Sequence, residues 1–127
     1  MRILLVDDSD FSRATLKHFF AEIKDLEITE ASNGIEALEK HRSFKPEIIF
    51  MDITMPDLDG LGTLKILSLT DQKVKVIMVS ALGNQNYICE EALKYGAFAV
   101  LSKPIKRDIA LQALLDAQDQ IKIGEEK

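Results

Sequence analysis

The chain has 127 residues, enough for one domain that buries roughly two thirds of its unfolded surface and too few for a second core. A hydrophobic share of 46% with 29% charged residues is that of an ordinary globular protein; no apolar stretch approaches the ~18 residues of a membrane span, and the N-terminus lacks the regions of a signal peptide. A net charge of −5 argues against a nucleic-acid backbone as partner, and the single cysteine, Cys89, excludes a disulfide framework and a Cys-based metal site, so a cytoplasmic protein is expected.

The first apolar run, residues 3–6, reads as a buried strand and ends on Asp7 and Asp8. Phe11, Arg13, Leu16, Phe20 and Ile23 then recur at helical spacing, predicting an amphipathic helix that ends near Lys24, with Ser9 or Asp10 as its cap. Residues 27–31 form a second strand, and the turn at 32–34 leads into a helix carrying Ile35, Ala37, Leu38 and His41, stopped by the Lys45-Pro46 step. His18 and His41 read as surface or boundary histidines, neither of them a phosphate carrier. A third strand at 48–51 ends on Asp52, and the loop that follows holds Pro56 and Gly60 where a sharp turn needs them.

Leu61, Leu64, Ile66, Leu67 and Leu69 build a third helix, followed by a strand at 75–79 that ends on Ser80. A fourth helix is expected from about Asn84 to Lys94, closed by Gly96 in a left-handed cap. The fifth strand, 98–101, leads to Lys103-Pro104, and a last helix runs from Ile105 to about Ile121 with Ile109, Leu111, Ala113, Leu114 and Ala117 facing inward. Residues 1–122 make the domain and 123–127 a frayed tail. Five alternations of strand and helix with short connections predict an α/β fold, a doubly wound five-stranded parallel sheet with helices on both faces.

In such a sheet the residues just past the strands gather at one edge, where open α/β folds place their chemistry. Here those residues are Asp7, Asp8, Asp52, Ser80 and Lys103. Three carboxylates supply the oxygen ligands that Mg²⁺ requires, and without a cation their mutual repulsion would raise their pKa values. Asp52, on a rigid strand before a sharp loop, is placed as a nucleophile toward a phosphoryl group, with Lys103 and the Ser80 hydroxyl as cation and donor. Taken alone, Asp7 and Asp8 serve equally as helix caps, Lys103 as a solvated lysine, and Met51, Met55 and Met78 as packing. A coincidence of polar residues at four strand ends is harder to sustain.

Four segments carry a family resemblance: Leu5-Val6-Asp7-Asp8-Ser9, Met51-Asp52-Ile53-Thr54-Met55-Pro56 with Gly60, Val79-Ser80-Ala81, and Leu101-Ser102-Lys103-Pro104. In order and spacing they resemble the receiver domains of two-component response regulators, and most of all the stand-alone, CheY-like chemotaxis type. The resemblance implies the flavodoxin-like strand order 2-1-3-4-5 and a phosphoacceptor switch in which Asp52 becomes an aspartyl phosphate by transfer from a histidine kinase. It further implies Mg²⁺ or Mn²⁺ held by Asp7, Asp8, Asp52 and the backbone carbonyl of Thr54, with Ser80 as switch hydroxyl and Lys103 as phosphate-facing ammonium. The Lys103-Pro104 bond would be cis, and Thr54 and Leu82 would tune water access to the acyl phosphate. The partner surface would be the fourth helix, fifth strand and fifth helix of a monomer, with no nucleic acid and no membrane involved, and no enzyme activity beyond self-catalysed phosphotransfer and autodephosphorylation.

Val100 departs from the pattern, standing where most such receivers carry Tyr or Phe. A rotating aromatic is therefore absent from that strand position, leaving a smaller packing shift, or Tyr95 or Phe98, to couple Ser80 to the surface. Competing functions are weaker. An aspartyl phosphatase needs a second acid two residues after its nucleophile, where Thr54 stands, and a nucleotide or flavin binder needs a glycine-rich loop where Asp7 and Asp8 stand. Within the family, a phosphorelay intermediate or a receiver cut from a longer regulator is the alternative, although no linker or basic helix-turn-helix follows the last helix.

Overall fold

β1 (Arg2–Val6), β3 (Ile48–Asp52) and β4 (Lys75–Ser80) are apolar along almost their whole length because both of their faces are covered. In the computed structural model, which describes residues 1–55, 57–81 and 86–126, they form the centre of a five-stranded parallel sheet completed by β2 (Glu27–Ala31) and β5 (Ala99–Ser102). The strand order is β2-β1-β3-β4-β5, as the resemblance implied. Five helices alternate with the strands: α1 (Asp10–Phe19), α2 (Gly34–Phe44), α3 (Gly60–Thr70), α4 (Asn86–Lys94) and α5 (Arg107–Glu126).

Alternation along each strand divides the core in two. Ile3, Leu5, Ile48, Phe50 and Ile77 face one side and pack with Leu16 and Phe20 and with Ala110, Ala113, Leu114 and Ala117. Leu4, Val6, Ile49, Met51, Val76 and Met78 face the other and pack with Ala37, Leu64, Leu67 and Ala92. Among the described residues, no helix is long and apolar enough to cross a membrane.

The elements differ from the sequence reading in several places, β5 starting at Ala99 rather than Phe98 and α5 at Arg107 rather than Ile105. α1 stops at Phe19 rather than near Lys24. Phe20 is buried against Phe50, with ring centroids 5.3 Å apart, and Ile23 packs on the same cluster from a turn in which its N–H bonds the Phe20 carbonyl at 3.1 Å. The apolar spacing thus outlasts the helix. On α1 itself, Phe11 is 80% exposed and Arg13 turns to acidic partners, so neither belongs to an apolar stripe. On α5 the buried stripe is Ala110, Ala113, Leu114 and Ala117, which leaves Ile109 48% exposed at the stripe's margin. Finally, the tail expected at 123–127 is helical through Glu126, continuing from Ile121, which packs on the core.

The caps explain the other boundaries. The Ser9 side chain accepts from the Ser12 N–H at 3.2 Å and starts α1, Asn33 accepts from the Glu36 N–H at 2.8 Å and starts α2, and Asp59 accepts from the Gly62 N–H at 2.7 Å and starts α3. α2 closes on Lys45 in the left-handed region, φ 54°, just before Pro46. Gly96, φ 96°, follows α4 as expected. The expected start of that helix near Asn84, together with Leu82 and Pro56, lies outside the described residues.

Candidate functional site

Strand register assembles the polar edge. Val6 pairs with Met51, Asp52 with Val79, and Ser80 with Ser102, so the residues immediately beyond β1, at the end of β3 and β4, and beyond β5 stand side by side. Asp7, Asp52 and Ser80 are 6%, 5% and 3% exposed, whereas Asp8 projects to solvent. One carboxylate oxygen from each of Asp7, Asp8 and Asp52 lies within 4.8 Å of the others. The Lys103 ammonium donates to Asp7 Oδ2 at 3.0 Å and to Asp52 Oδ2 at 3.3 Å. Its own backbone N–H donates to the Ser80 carbonyl at 2.8 Å, which fixes it to the end of β4. The Lys103-Pro104 bond is cis.

Asp7 and Asp8 do not cap α1, because Ser9 does; Asp7 Oδ1 instead accepts from the Ser9 N–H at 2.9 Å. The Thr54 N–H donates to Asp52 Oδ1 at 3.3 Å and orients that carboxylate from the loop side. Gly60 anchors the same loop, its N–H bonding the Ile53 carbonyl at 2.8 Å. Val100 is partly buried and packs against the α2–α4 half of the core, as Tyr95 does, while Phe98 packs on the opposite half. The two aromatics therefore lie on different sides of the sheet.

The electrostatics of the site are set by carboxylates that outnumber the one ammonium among them. Burial pushes the Asp52 carboxyl up from the ordinary carboxylate range and the neighbouring charge of Asp7 pushes it further, against the opposing pull of Lys103. For Lys103, burial pulls the ammonium down, but its hydrogen bond to Asp7 and the charges of Asp52 and Asp7 more than offset this and the net shift is upward. Three carboxylates around one ammonium leave about −2 when all are ionised. The donors at the cluster are oxygens, one of them exposed for entry, which suits a hard divalent ion such as Mg²⁺ or Mn²⁺. The residues present fit such an ion. Beside them a cavity of about 330 Å³ opens between α1 and the β5–α5 connection, lined by Phe11, Arg13, Leu16, Asp52, Lys103 and Ile105 among others.

Two contributions were not anticipated. Arg13 reaches from α1 to the Asp7 backbone, and His41, assigned to a boundary, pairs with Asp71 at 2.9 Å. The Arg13 contact had a readable signal in Asp10, three residues earlier on one helix face; the His41 pair joins residues thirty positions apart and had none.

An open, doubly wound parallel sheet with an acidic cluster and a lysine at the carboxyl ends of its strands defines a class of α/β protein whose polar edge could hold an oxygen-bound cation. Residues 3–115 match the response regulator receiver domain, and the chain belongs to that family. It is 40% identical over 114 residues to the chemotaxis protein CheY of Listeria monocytogenes, covering 90% of this chain and 95% of that protein. With the chemotaxis protein CheY of Bacillus subtilis it shares 37% identity over 113 residues, 89% and 93% of the two chains. Among solved structures it resembles the response regulator domain of Thermotoga maritima CheB, with a TM-score of 0.83, 36% identity and 96% of each chain covered. The chain is a CheY-like receiver.

Proposed function

We propose that Asp52 is the phosphoacceptor of a two-component switch, receiving a phosphoryl group from a histidine kinase and offering an altered surface to a downstream partner in the cytoplasm. The observation that carries this reading is the position of Asp52: buried at the end of the central strand, with a carboxylate oxygen within 4.8 Å of one from each of Asp7 and Asp8, and 3.3 Å from the Lys103 ammonium. An Asp52 oxygen forms the new P–O bond as the donor's P–N bond breaks, and the electron pair leaves with the donor imidazole. Lys103 meets the charge on the transferred group, and the Ser80 hydroxyl is the nearby donor on β4 that the added charge draws in. A divalent cation held by Asp7, Asp8, Asp52 and the Thr54 carbonyl would neutralise the equatorial phosphoryl oxygens.

The relatives' name, chemotaxis protein, supports a role in chemotaxis signalling, and the face formed by α4, β5 and α5 is the proposed output surface. With Val100 on β5, a packing shift between Ser80 and the Val100 side of the sheet takes the place of a rotating ring. The test is mass spectrometry after incubation with acetyl phosphate and Mg²⁺. One added phosphoryl on the wild type and none on Asp52→Asn is expected; equal labelling of the variant would overturn the assignment.

A further inference from the structure

Arg13 is 12% exposed on the first half of α1, and its guanidinium is held from three directions. Nη1 donates to the backbone carbonyl of Asp7, Nη2 to the carboxylate of Asp10, and Nε to Glu30 Oε1 at 3.0 Å. Glu30, on β2, is in turn bonded by Lys17 at 3.2 Å. Burial pushes the Glu30 carboxyl up, but its bonds to Arg13 and Lys17 outweigh this and the net shift is downward, so it remains an anion facing the guanidinium. The arrangement ties α1 and β2 to a single peptide group at the end of β1.

That peptide is the link between Asp7 and Asp8. The Asp7 N–H is already fixed by the Ala31 carbonyl at 3.1 Å, and its side chain by Ser9 and Lys103. Asp8 lies exposed beyond it. Because the carbonyl oxygen of Asp7 and the Cα of Asp8 share one plane, a donor that fixes the direction of that oxygen also fixes where Asp8 begins.

We infer that Arg13 is a positioning residue for the divalent-cation site: it holds the Asp7–Asp8 peptide so that the Asp8 carboxylate meets those of Asp7 and Asp52. The inference rests on the proposed metal site. Charge and positioning give opposite signs, which makes the two separable. Removing a cation beside three carboxylates would by itself tighten the binding of Mg²⁺, whereas releasing the peptide loosens it.

The experiment is a Mg²⁺ titration of the full chain by calorimetry, repeated with Mn²⁺ by electron paramagnetic resonance, on wild type, Arg13→Met, Arg13→Lys and Asp8→Asn. Arg13→Met is expected to bind Mg²⁺ about tenfold more weakly, the usual scale for a group supporting a metal ligand. Arg13→Lys, with its charge kept but one donor group for three acceptors, should fall between. The Mg²⁺ concentration for half-maximal phosphorylation by acetyl phosphate should rise in step. Binding by Arg13→Met as tight as, or tighter than, wild type would overturn the inference. Should Arg13→Met fail to fold, Arg13→Lys decides: weaker binding upholds the positioning role and unchanged binding ends it. A wild type that binds no Mg²⁺, or an Asp8→Asn that binds it equally well, would instead defeat the metal site itself.

Discussion

Gly60 lies so close beneath Asp52 that a Cβ added to it would stand 2.0 Å from the Asp52 carbonyl oxygen, and 2.8 Å from the Cα of Ile53. The neighbour is backbone, so no side chain can rotate out of the way. Gly60→Ala should therefore move the end of β3 itself, at a cost of about 3 kcal/mol, the upper part of the range for overpacking. Urea unfolding reads the loss as a lower midpoint, and phosphoryl uptake should fall with it. A midpoint matching wild type would show that the loop yields without disturbing the strand.

Asp52→Asn should leave the protein without cation more stable than wild type, because the native site holds this carboxyl above its ordinary pKa through burial and the charge of Asp7. The sign follows from linkage: a raised carboxyl pKa means the native state binds the proton more tightly than the unfolded chain, so ionisation is destabilising. As pH falls through the raised value, wild-type Asp52 protonates and the advantage of the asparagine closes. Thermal melts in EDTA across mildly acid to neutral pH measure this; a variant less stable than wild type at neutral pH would contradict it.

Lys103→Met should separate stability from cation affinity. It strips the shared ammonium from Asp7 and Asp52, 3.0 and 3.3 Å away. The Lys103 side chain is 29% exposed, so the cost should be about 1–2 kcal/mol, below that of breaking a fully buried pair. Mg²⁺ affinity should rise, since a competing positive charge is gone, while phosphoryl acceptance falls. A parallel loss of both would show the lysine to be structural for the metal ligands.

Asp71 joins α3, α2 and the loop before β4: it closes α3, accepts from the N–H groups of Lys73 at 2.9 Å and Val74 at 3.2 Å, and pairs with His41 at 2.9 Å on α2. Burial pushes its carboxyl up, but the bond to His41 and the two amides more than reverse this and hold it below the ordinary range. Asp71→Asn should cost about 1 kcal/mol at neutral pH. A lowered carboxyl pKa contributes stability that is present above the unfolded value and lost as pH falls through the native one, so the gap between variant and wild type should close in acid. A gap of constant size across that window would assign the loss to shape rather than charge.

The strands and their polar ends were legible because each signal is local: an apolar run of four to six residues, then Asp, Ser or Lys. Parallel pairing then brings Asp7, Asp52, Ser80 and Lys103 to one edge with no further information needed. What could not be read depends on partners distant in sequence. Ile23 keeps helical spacing while packing from a turn, Phe11 carries an apolar side chain to the surface, and His41 finds Asp71 only after α2 and α3 pack together. The continuation of α5 through Glu126 likewise had no apolar signal of its own, Ile123 being 46% exposed.

The sheet that splits the core also partitions the molecule's tolerance for change. Leu16 and Leu67 lie on opposite sides of a layer of backbone, in separate apolar groups. Losses from trimming both should sum, because neither side chain borders the space the other vacates. Such independence lets helices on one flank be remodelled in the course of divergence while the opposite flank keeps its fit, with the acidic edge shared by both left untouched.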